Sequence, residues 1–434
     1  MRLTGMGTLF QNIKAQASTH EGRDKDMLIY EYKLDGKKPQ YQAIEEAIRI
    51  VQFIRNKCLR KWMDGHGVSK NDLQCYCAVL AQEYSFAARL NSQARQTSAD
   101  RAWTSISRFY KNCREKKPGK KGYPRFQHDN RSVEYKQTGW KIEPDGKHIT
   151  FTDGCGIGTL RLVGNKKQEV ETFPVKQIKR VRIVRRADGY YCQFGVQSVR
   201  KVEHTATGKA VGIDLGLKVY YTDSDGNTIE NPRHYRKAEK RLKRLHRQLS
   251  RKQKGSANRR RARKQLAKAS LSVQRQREDF ARKQASALVS SHDFIAYEDL
   301  KIRNMVRNRH LSKSISDASW GKFLQWVRYY GTMHEIPVIA VPPQFTSQDC
   351  SGCGTRVKKS LSVRTHICPT CGLVLDRDEN AAVNILHAGL LILLLMAFAG
   401  TVGHTGTSSE EENASGQPAA TRPSRKGKTG KRAG

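Results

Sequence analysis

Residues 349–386 read DCSGCGTRVKKSLSVRTHICPTCGLVLDRDENAAVNIL. Cys350, Cys353, Cys368 and Cys371 are spaced C-x2-C-x14-C-x2-C, two pairs each on a glycine-containing turn, CSGCG and CPTCG. Such pairs can set four thiolates tetrahedrally around Zn²⁺, and four thiolates leave no open coordination position, so the zinc is read as structural. An iron–sulfur centre uses the same donor type. His366 is surplus to the four ligands, and Arg356, Lys358, Lys359 and Arg364 decorate the tip of the ribbon as a nucleic-acid surface. Asp378 follows seven residues after Cys371 and opens a helical run, NAAVNIL. That coupling suggests a zinc module set just before the last element of an active site.

Two further acids stand in comparable places. KAVGIDLG is an apolar strand ending at Asp214, with Gly212 and Gly216 allowing close backbone approach, and FIAYE is an apolar strand ending at Glu298. Taken singly, each acid has a plainer reading: a cap or turn for Asp214, a strand-edge ion pair for Glu298, an N-cap for Asp378. Asp376 competes with Asp378, and Asp299 with Glu298. Taken together, carboxylates at two strand ends and one helix start could converge on a metal centre. Cleavage of phosphodiesters with two Mg²⁺ ions, or Mn²⁺, needs that kind of oxygen-donor set, and nucleases of the ribonuclease H class use this arrangement.

The chain has 434 residues, with 80 Lys+Arg against 40 Asp+Glu, a formal charge of +40. Solubility does not require such an excess; a polyanion is the natural partner, nucleic acid first. A ribosomal protein would share the charge but not the constellation of acids. Residues 231–283 hold 21 Lys+Arg and three acids, with Leu242, Leu245 and Leu249 on one helical face and GSAN at 255–258 as a break capped by Ser256 or Asn258. Before residue 205 the periodicity predicts a strand at 27–33, helices over 43–62, 71–90 and 99–115, then strand segments from 132 to 200. LKVYYTDSDGNTI predicts a hairpin. Trp103, Phe109, Tyr110 and Tyr123 suit base stacking, although core packing is the stronger reading for each. The six other cysteines are scattered, as in a reducing compartment. MRLTGMGTLFQNIK lacks a signal-peptide core, and the apolar run Ala388 to Ala399 is too short to span a bilayer unaided. No membrane partner is therefore expected.

In order, GIDLG, the basic helical pair, YEDL, the QFTSQDCSGCG ribbon and DRDENAAVNIL resemble TnpB, the transposon-encoded RNA-guided nuclease family related to type V CRISPR effectors. The resemblance runs from about 208 to 387; GKKGYPRF (119–126) is also similar to the family's N-terminal half, whereas the tail after about 390 has no counterpart. The resemblance implies a multidomain α/β and α+β protein. A RuvC-like, ribonuclease H-type nuclease domain (208–345 and 374–390) would carry the inserted four-cysteine zinc ribbon (346–373), which binds target nucleic acid. A wedge-like β-barrel (1–40 and 116–205), a helical recognition domain (41–115) and a disordered basic tail (401–434) would complete it. It further implies a catalytic, Mg²⁺-binding triad of Asp214, Glu298 and Asp378, the last because it stands two residues before the Asn-Ala-Ala step. The implied partners are a guide RNA from the transposon end and double-stranded target DNA beside a short flanking motif. The implied setting is the bacterial cytoplasm, at the nucleoid. A strand-transferring DNA transposase and a non-enzymatic nucleic-acid-binding regulator of transposition are the alternatives.

Overall fold

In the computed structural model, residues 27–164, 174–197, 202–360 and 363–402 are described, with side chains to 398. The N-terminal stretch to residue 26 and the tail from 403, including most of the segment expected to be disordered, lie outside them. Chain order begins with β1 (Met27–Asp35), α1 (Lys38–Asp64), α2 (Lys70–Glu83), the single turn α3 (Ser85–Ala88) and α4 (Ser92–Arg114). It continues through β2 (Ser132–Tyr135), β3 (Trp140–Ile142), β4 (His148–Phe151), β5 (Gly158–Val163), β6 (Ile178–Arg186) and β7 (Gly189–Gln197). The helix expected over 71–90 is split because Tyr84 is extended (φ −127°, ψ 102°), its ring edge-on to Phe53. Ser69 and Asp72 form a reciprocal capping box that starts α2.

The seven strands form one antiparallel sheet in the order β2-β6-β7-β1-β5-β4-β3. Its edge strands, β2 and β3, are neighbours in sequence. Six inter-strand gaps of about 4.8 Å would separate the edges of a flat sheet by about 29 Å. Five Cα steps from Tyr135 to Trp140 reach at most about 19 Å. The sheet must therefore curl, and Tyr135 of β2 meets Phe151 of β4 with ring centroids 5.2 Å apart. Helices α1 to α4 pack on this curled sheet within a single hydrophobic core, so Ile44, Ile48 and Leu80 share it with Val133, Ile183 and Phe194. The line between helical and barrel segments divides the topology but not the core.

The second half comprises β8 (Ala210–Leu215), β9 (Val219–Asp223), β10 (Thr228–Glu230), α5 (His234–Ser250), α6 (Ala257–Ser290), β11 (Phe294–Glu298), α7 (Ile302–Met305), α8 (Ser312–Ala318), α9 (Trp320–His334), β12 (Val338–Val341), β13 (Thr365–Ile367), β14 (Val374–Asp376) and α10 (Arg377–Val402). A five-stranded sheet runs β10-β9-β8-β11-β12, antiparallel across β10, β9 and β8, then parallel from β8 to β11 and β12. Asp223 accepts from the backbone N–H groups of Asp225 and Asn227 and so fixes the β9–β10 turn.

Strand alternation assigns the faces of this sheet. Val211, Ile213, Ile295 and Tyr297 enter the core under α6 and α9. Ala210, Phe294 and Ala296 lie on the other face with Ile385, Leu386 and Leu393 of α10. The same alternation puts Gly212 and Asp214 on the α10 face. A Cβ on Gly212 would stand 2.2 Å from the Ala382 carbonyl oxygen and 2.6 Å from the Leu386 nitrogen. The helix therefore lies with its backbone directly on β8. The apolar run expected to be too short to span a bilayer is part of a longer helix: Arg377–Phe398 is long and apolar enough, by length and composition, to cross a membrane, with Ala381, Ala382, Ile385 and Leu386 in the core and Leu391, Leu395, Met396 and Phe398 exposed.

The basic segment forms an antiparallel pair, α5 and α6, joined through Leu242, Leu266, Ala269 and Val273. Ser256 caps α6 by accepting from the Arg259 N–H at 3.1 Å. Arg275 ties this pair to the curled sheet through Asp188 (2.7 Å) and the Tyr191 hydroxyl (2.7 Å).

The Gly212 contact is backbone against backbone, so no rotamer change relieves it. Gly212→Ala is expected to destabilise the protein by about 1–3 kcal/mol or more and to lower its melting temperature by calorimetry. Gly321→Ala, in α9 with only Ile302 nearby at 3.7 Å, should be neutral or slightly stabilising. Equal effects at the two positions would contradict the packing described for α10.

Candidate active site

Asp214 is the fifth residue of β8 and Glu298 the last of β11. The parallel register pairs Tyr297 with Ile213, so the two acids follow at the same level and on the same face. That face is the one covered by α10, whose first turn carries Asp378. Burial comes first in raising both carboxyls. At Asp214 the negative charges of Glu298 and then Asp378 add to the rise, Arg377 offsets part of it, and the result is about 7. Charge felt from both partners shows that the fold brings the three expected acids to one place.

The competing acids point elsewhere. Asp376 Oδ1 accepts from the Asp378 backbone N–H at 2.8 Å and serves as the cap of α10. Asp299 is exposed, with its backbone N–H bonded to Val341. Asp378 is held by two arginines: Arg364 Nη1 at 2.9 Å from Oδ2, and Arg377 Nη2 at 3.1 Å from Oδ1. Glu298 Oε1 accepts from the Thr346 hydroxyl at 2.5 Å. The desolvated pair Asp214 and Glu298, with Thr346 donating to Glu298, suits a divalent cation better than an empty apolar site. Asp214, Glu298 and Asp378 would hold it through oxygen atoms, in keeping with Mg²⁺.

The four cysteine sulfurs lie within 4.8 Å of one another. Cys350 Sγ is 3.6 Å from Cys371 Sγ, and Cys353 Sγ is 3.5 Å from Cys368 Sγ. A disulfide needs about 2.05 Å, whereas four thiolates at about 2.3 Å from a tetrahedral zinc stand roughly 3.8 Å apart. The donor set and spacing fit zinc. Both turns share one construction: the Gly354 N–H bonds to Cys350 O and the Gly372 N–H to Cys368 O, each glycine having positive φ.

The ribbon hangs from α10. Asn380, fully buried, accepts from the Ser351 N–H and donates to Asp349 O at 2.9 Å. Asn384 donates to Thr346 O at 2.8 Å and Asp349 O at 2.7 Å. Thr346, Asn380 and Asn384 were not singled out from sequence. The pattern N-x3-N, one helical turn apart and beside the acid, is the signal that could have found the last two. Three of the four tip cations expected to face nucleic acid have partners within the chain. Arg356 bonds Asp349 and stacks 3.5 Å over Phe345, Lys359 meets buried His366, and Arg364 holds Asp378. Short polar side chains nearby drew them in, which composition alone does not reveal.

Comparison with known proteins agrees with this architecture. The OrfB_IS605 family, described as a probable transposase, matches residues 193–309. The Cas12f1-like TNB domain matches residues 320–385, which include the ribbon and Asp378. A Streptomyces pristinaespiralis relative, assigned by name to the RNA-guided DNA endonucleases, is 41% identical over 187 residues, 43% of this chain and 46% of the relative. InsQ of Escherichia coli (strain K12), so assigned too, is 29% identical over 306 residues, 66% of this chain and 73% of the relative. The match to the first of these thus spans less than half of that relative's length. Among solved structures, the mini-RNA-guided endonuclease CRISPR-Cas_phi3 shares the fold at 10% identity, with a TM-score of 0.52 over 88% of this chain and 97% of that one. The resemblance to TnpB read from the motifs is borne out, and the chain is a relative of those proteins.

Two outcomes follow from this geometry. A buried carboxyl raised to about 7 favours the fold below its unfolded pKa of about 4, and that contribution is lost as pH rises towards 7. Asp214→Asn should remove the loss, so without divalent ions the variant melts higher than the parent at pH 8; equal melting temperatures would count against a desolvated Asp214. Cys353→Ser should lower bound zinc from one per chain towards none by mass spectrometry and expose residues 346–378 to proteolysis. Full zinc content in that variant would contradict the assigned ligand set.

Proposed function

We propose that this protein is an RNA-guided DNA endonuclease of a transposable element, hydrolysing target DNA at a site built from Asp214, Glu298 and Asp378. The observation that carries the reading is the convergence of two desolvated acids, Asp214 and Glu298, with Asp378 of α10 in a chain of charge +40. Isolated in an apolar site, Asp214 and Glu298 would take up protons. Beside a phosphodiester, bound divalent ions supply charge neutralisation and an activated water. Glu298 is held in position by Thr346, and Asp214 by its place on a central strand. Asp378 must shed at least part of its arginine contacts to become a ligand.

The partners in this reading are a guide RNA from the transposon end and double-stranded DNA next to a short flanking motif. Base pairing would select the sequence, and the protein would hold the heteroduplex by its backbone. The α5–α6 pair suits that role, since its cations face outward from a leucine-lined seam. The curled sheet with α1 to α4 would serve as wedge and recognition segments, and the ribbon would contact target nucleic acid. The zinc is structural, and the setting is the bacterial cytoplasm. A transposase reading rests on the description of the family matching residues 193–309. It differs in product, since strand transfer joins DNA ends whereas guided hydrolysis leaves breaks.

The deciding experiment incubates the protein and its copurified RNA with matched DNA in Mg²⁺. Nicking is expected, and Asp214→Ala should reduce it by at least about 10³-fold while the RNA stays bound. Undiminished cleavage by that variant would falsify the triad, and joined transposon ends would favour the transposase.

A further inference from the structure

We propose that Tyr110 and Tyr123 form a stacking platform for the bases of an unpaired nucleic-acid strand. The proposal rests on the nucleic-acid reading above but not on cleavage. Tyr110 sits in the last turns of α4, and Tyr123 in the loop that follows it. That loop is fixed in shape: the Asn112 side chain donates to Lys121 O at 3.0 Å, the Lys117 N–H bonds to Asn112 O, and Gly119 and Gly122 take positive φ. Held in this way, Tyr123 packs against Trp62 at 5.7 Å and Phe109 at 5.2 Å, and Tyr110 lies 5.9 Å from Trp62. Trp62 is the buried floor, yet Tyr110 and Tyr123 remain 52% and 54% exposed.

Neighbouring rings are already covered by cations. Lys57 lies over Tyr84, Lys61 over Tyr76 at 4.2 Å, and Arg60 over Phe126. Among the described residues no cation covers Tyr110 or Tyr123, so their faces are open. Around them, residues 108–125 carry eight Lys or Arg and a single acid, Glu115. Glu115 is itself paired with Lys111 and Lys117. Open aromatic faces inside a cationic rim match a strand that offers phosphates and bare bases together. A duplex would present its phosphates but hide its base faces, so the occupant is unpaired.

The test uses the full chain in EDTA, so that no cleavage intervenes. Oligonucleotides carrying 5-iodouracil, as RNA and as DNA, single-stranded and duplex, are photo-crosslinked and the attached peptides mapped. Crosslinks at Tyr110 or Tyr123 with a single strand, and not with duplex, are expected; the sugar of the productive strand identifies the partner as RNA or DNA. Replacing both tyrosines by leucine should weaken single-strand binding roughly 5- to 100-fold with an unchanged salt slope, because no phosphate contact is lost. The double phenylalanine variant should bind like the parent. Should the leucine variant melt early, the parent's crosslink map and the phenylalanine variant still decide. Crosslinks confined to residues outside 108–126, or unaltered affinity in a folded leucine variant, would overturn the platform. Crosslinking that persists in a protein unable to nick DNA in Mg²⁺ would sink the endonuclease reading alone.

Discussion

The contact between α10 and β8 governs the second half of this molecule. Helix and strand meet backbone to backbone because Gly212 has no Cβ to intervene. Gly389 repeats the device further along, where a Cβ would come within 2.5 Å of the Ala296 Cβ. With the helix this low on the sheet, its first turn reaches the ends of β8 and β11, and Asp378 joins Asp214 and Glu298. A larger residue at 212 would lift the helix and separate the acids. The ribbon depends on the same contact, since Asn380 and Asn384 fasten it to the helix.

Charge is divided with similar economy. Among the described residues no Lys or Arg is buried, and the α5–α6 pair places its few apolar residues on one seam. A few acids run the other way: Glu134, Asp223, Asp317 and Glu298 are buried, and Glu298 lies beside Asp214 in a chain of charge +40. Two arginines from the ribbon junction lie on Asp378, so this acid is the one neutralised by ion pairs within the chain. The ribbon is thus both a fold element and the source of a counter-charge at the site, through Arg364.

Much of this was legible from local pattern. The cysteine spacing fixed the thiolate cluster, because a C-x2-C turn with a following glycine has few ways to fold. The two apolar strands were readable from their runs, and their terminal acids with them. Less was legible where distant chain decides. The helix expected over 71–90 breaks at Tyr84 because the ring is drawn against Phe53 and Phe86. Trp103 and Phe109 pack on the core as the packing reading expected, whereas Tyr110 and Tyr123 stay open. Nothing in their local sequence separates these two pairs.

The choice between Asp376 and Asp378 marks the boundary most clearly. By itself the sequence determined that an acid would open the last helix beside a zinc ribbon, and that Asp214 and Glu298 would end two apolar strands. Strand alternation is a local rule within each strand, but the β8–β11 register, a tertiary fact, is what puts those two acids on one face. Which acid of the helix turns towards them depends on how α10 is rotated about its own axis. That rotation is set by Ala382 and Leu386 against Gly212, about 170 residues away in the chain. Only the tertiary structure holds that contact, and with it Asp376 caps the helix while the charge of Asp378 acts on Asp214.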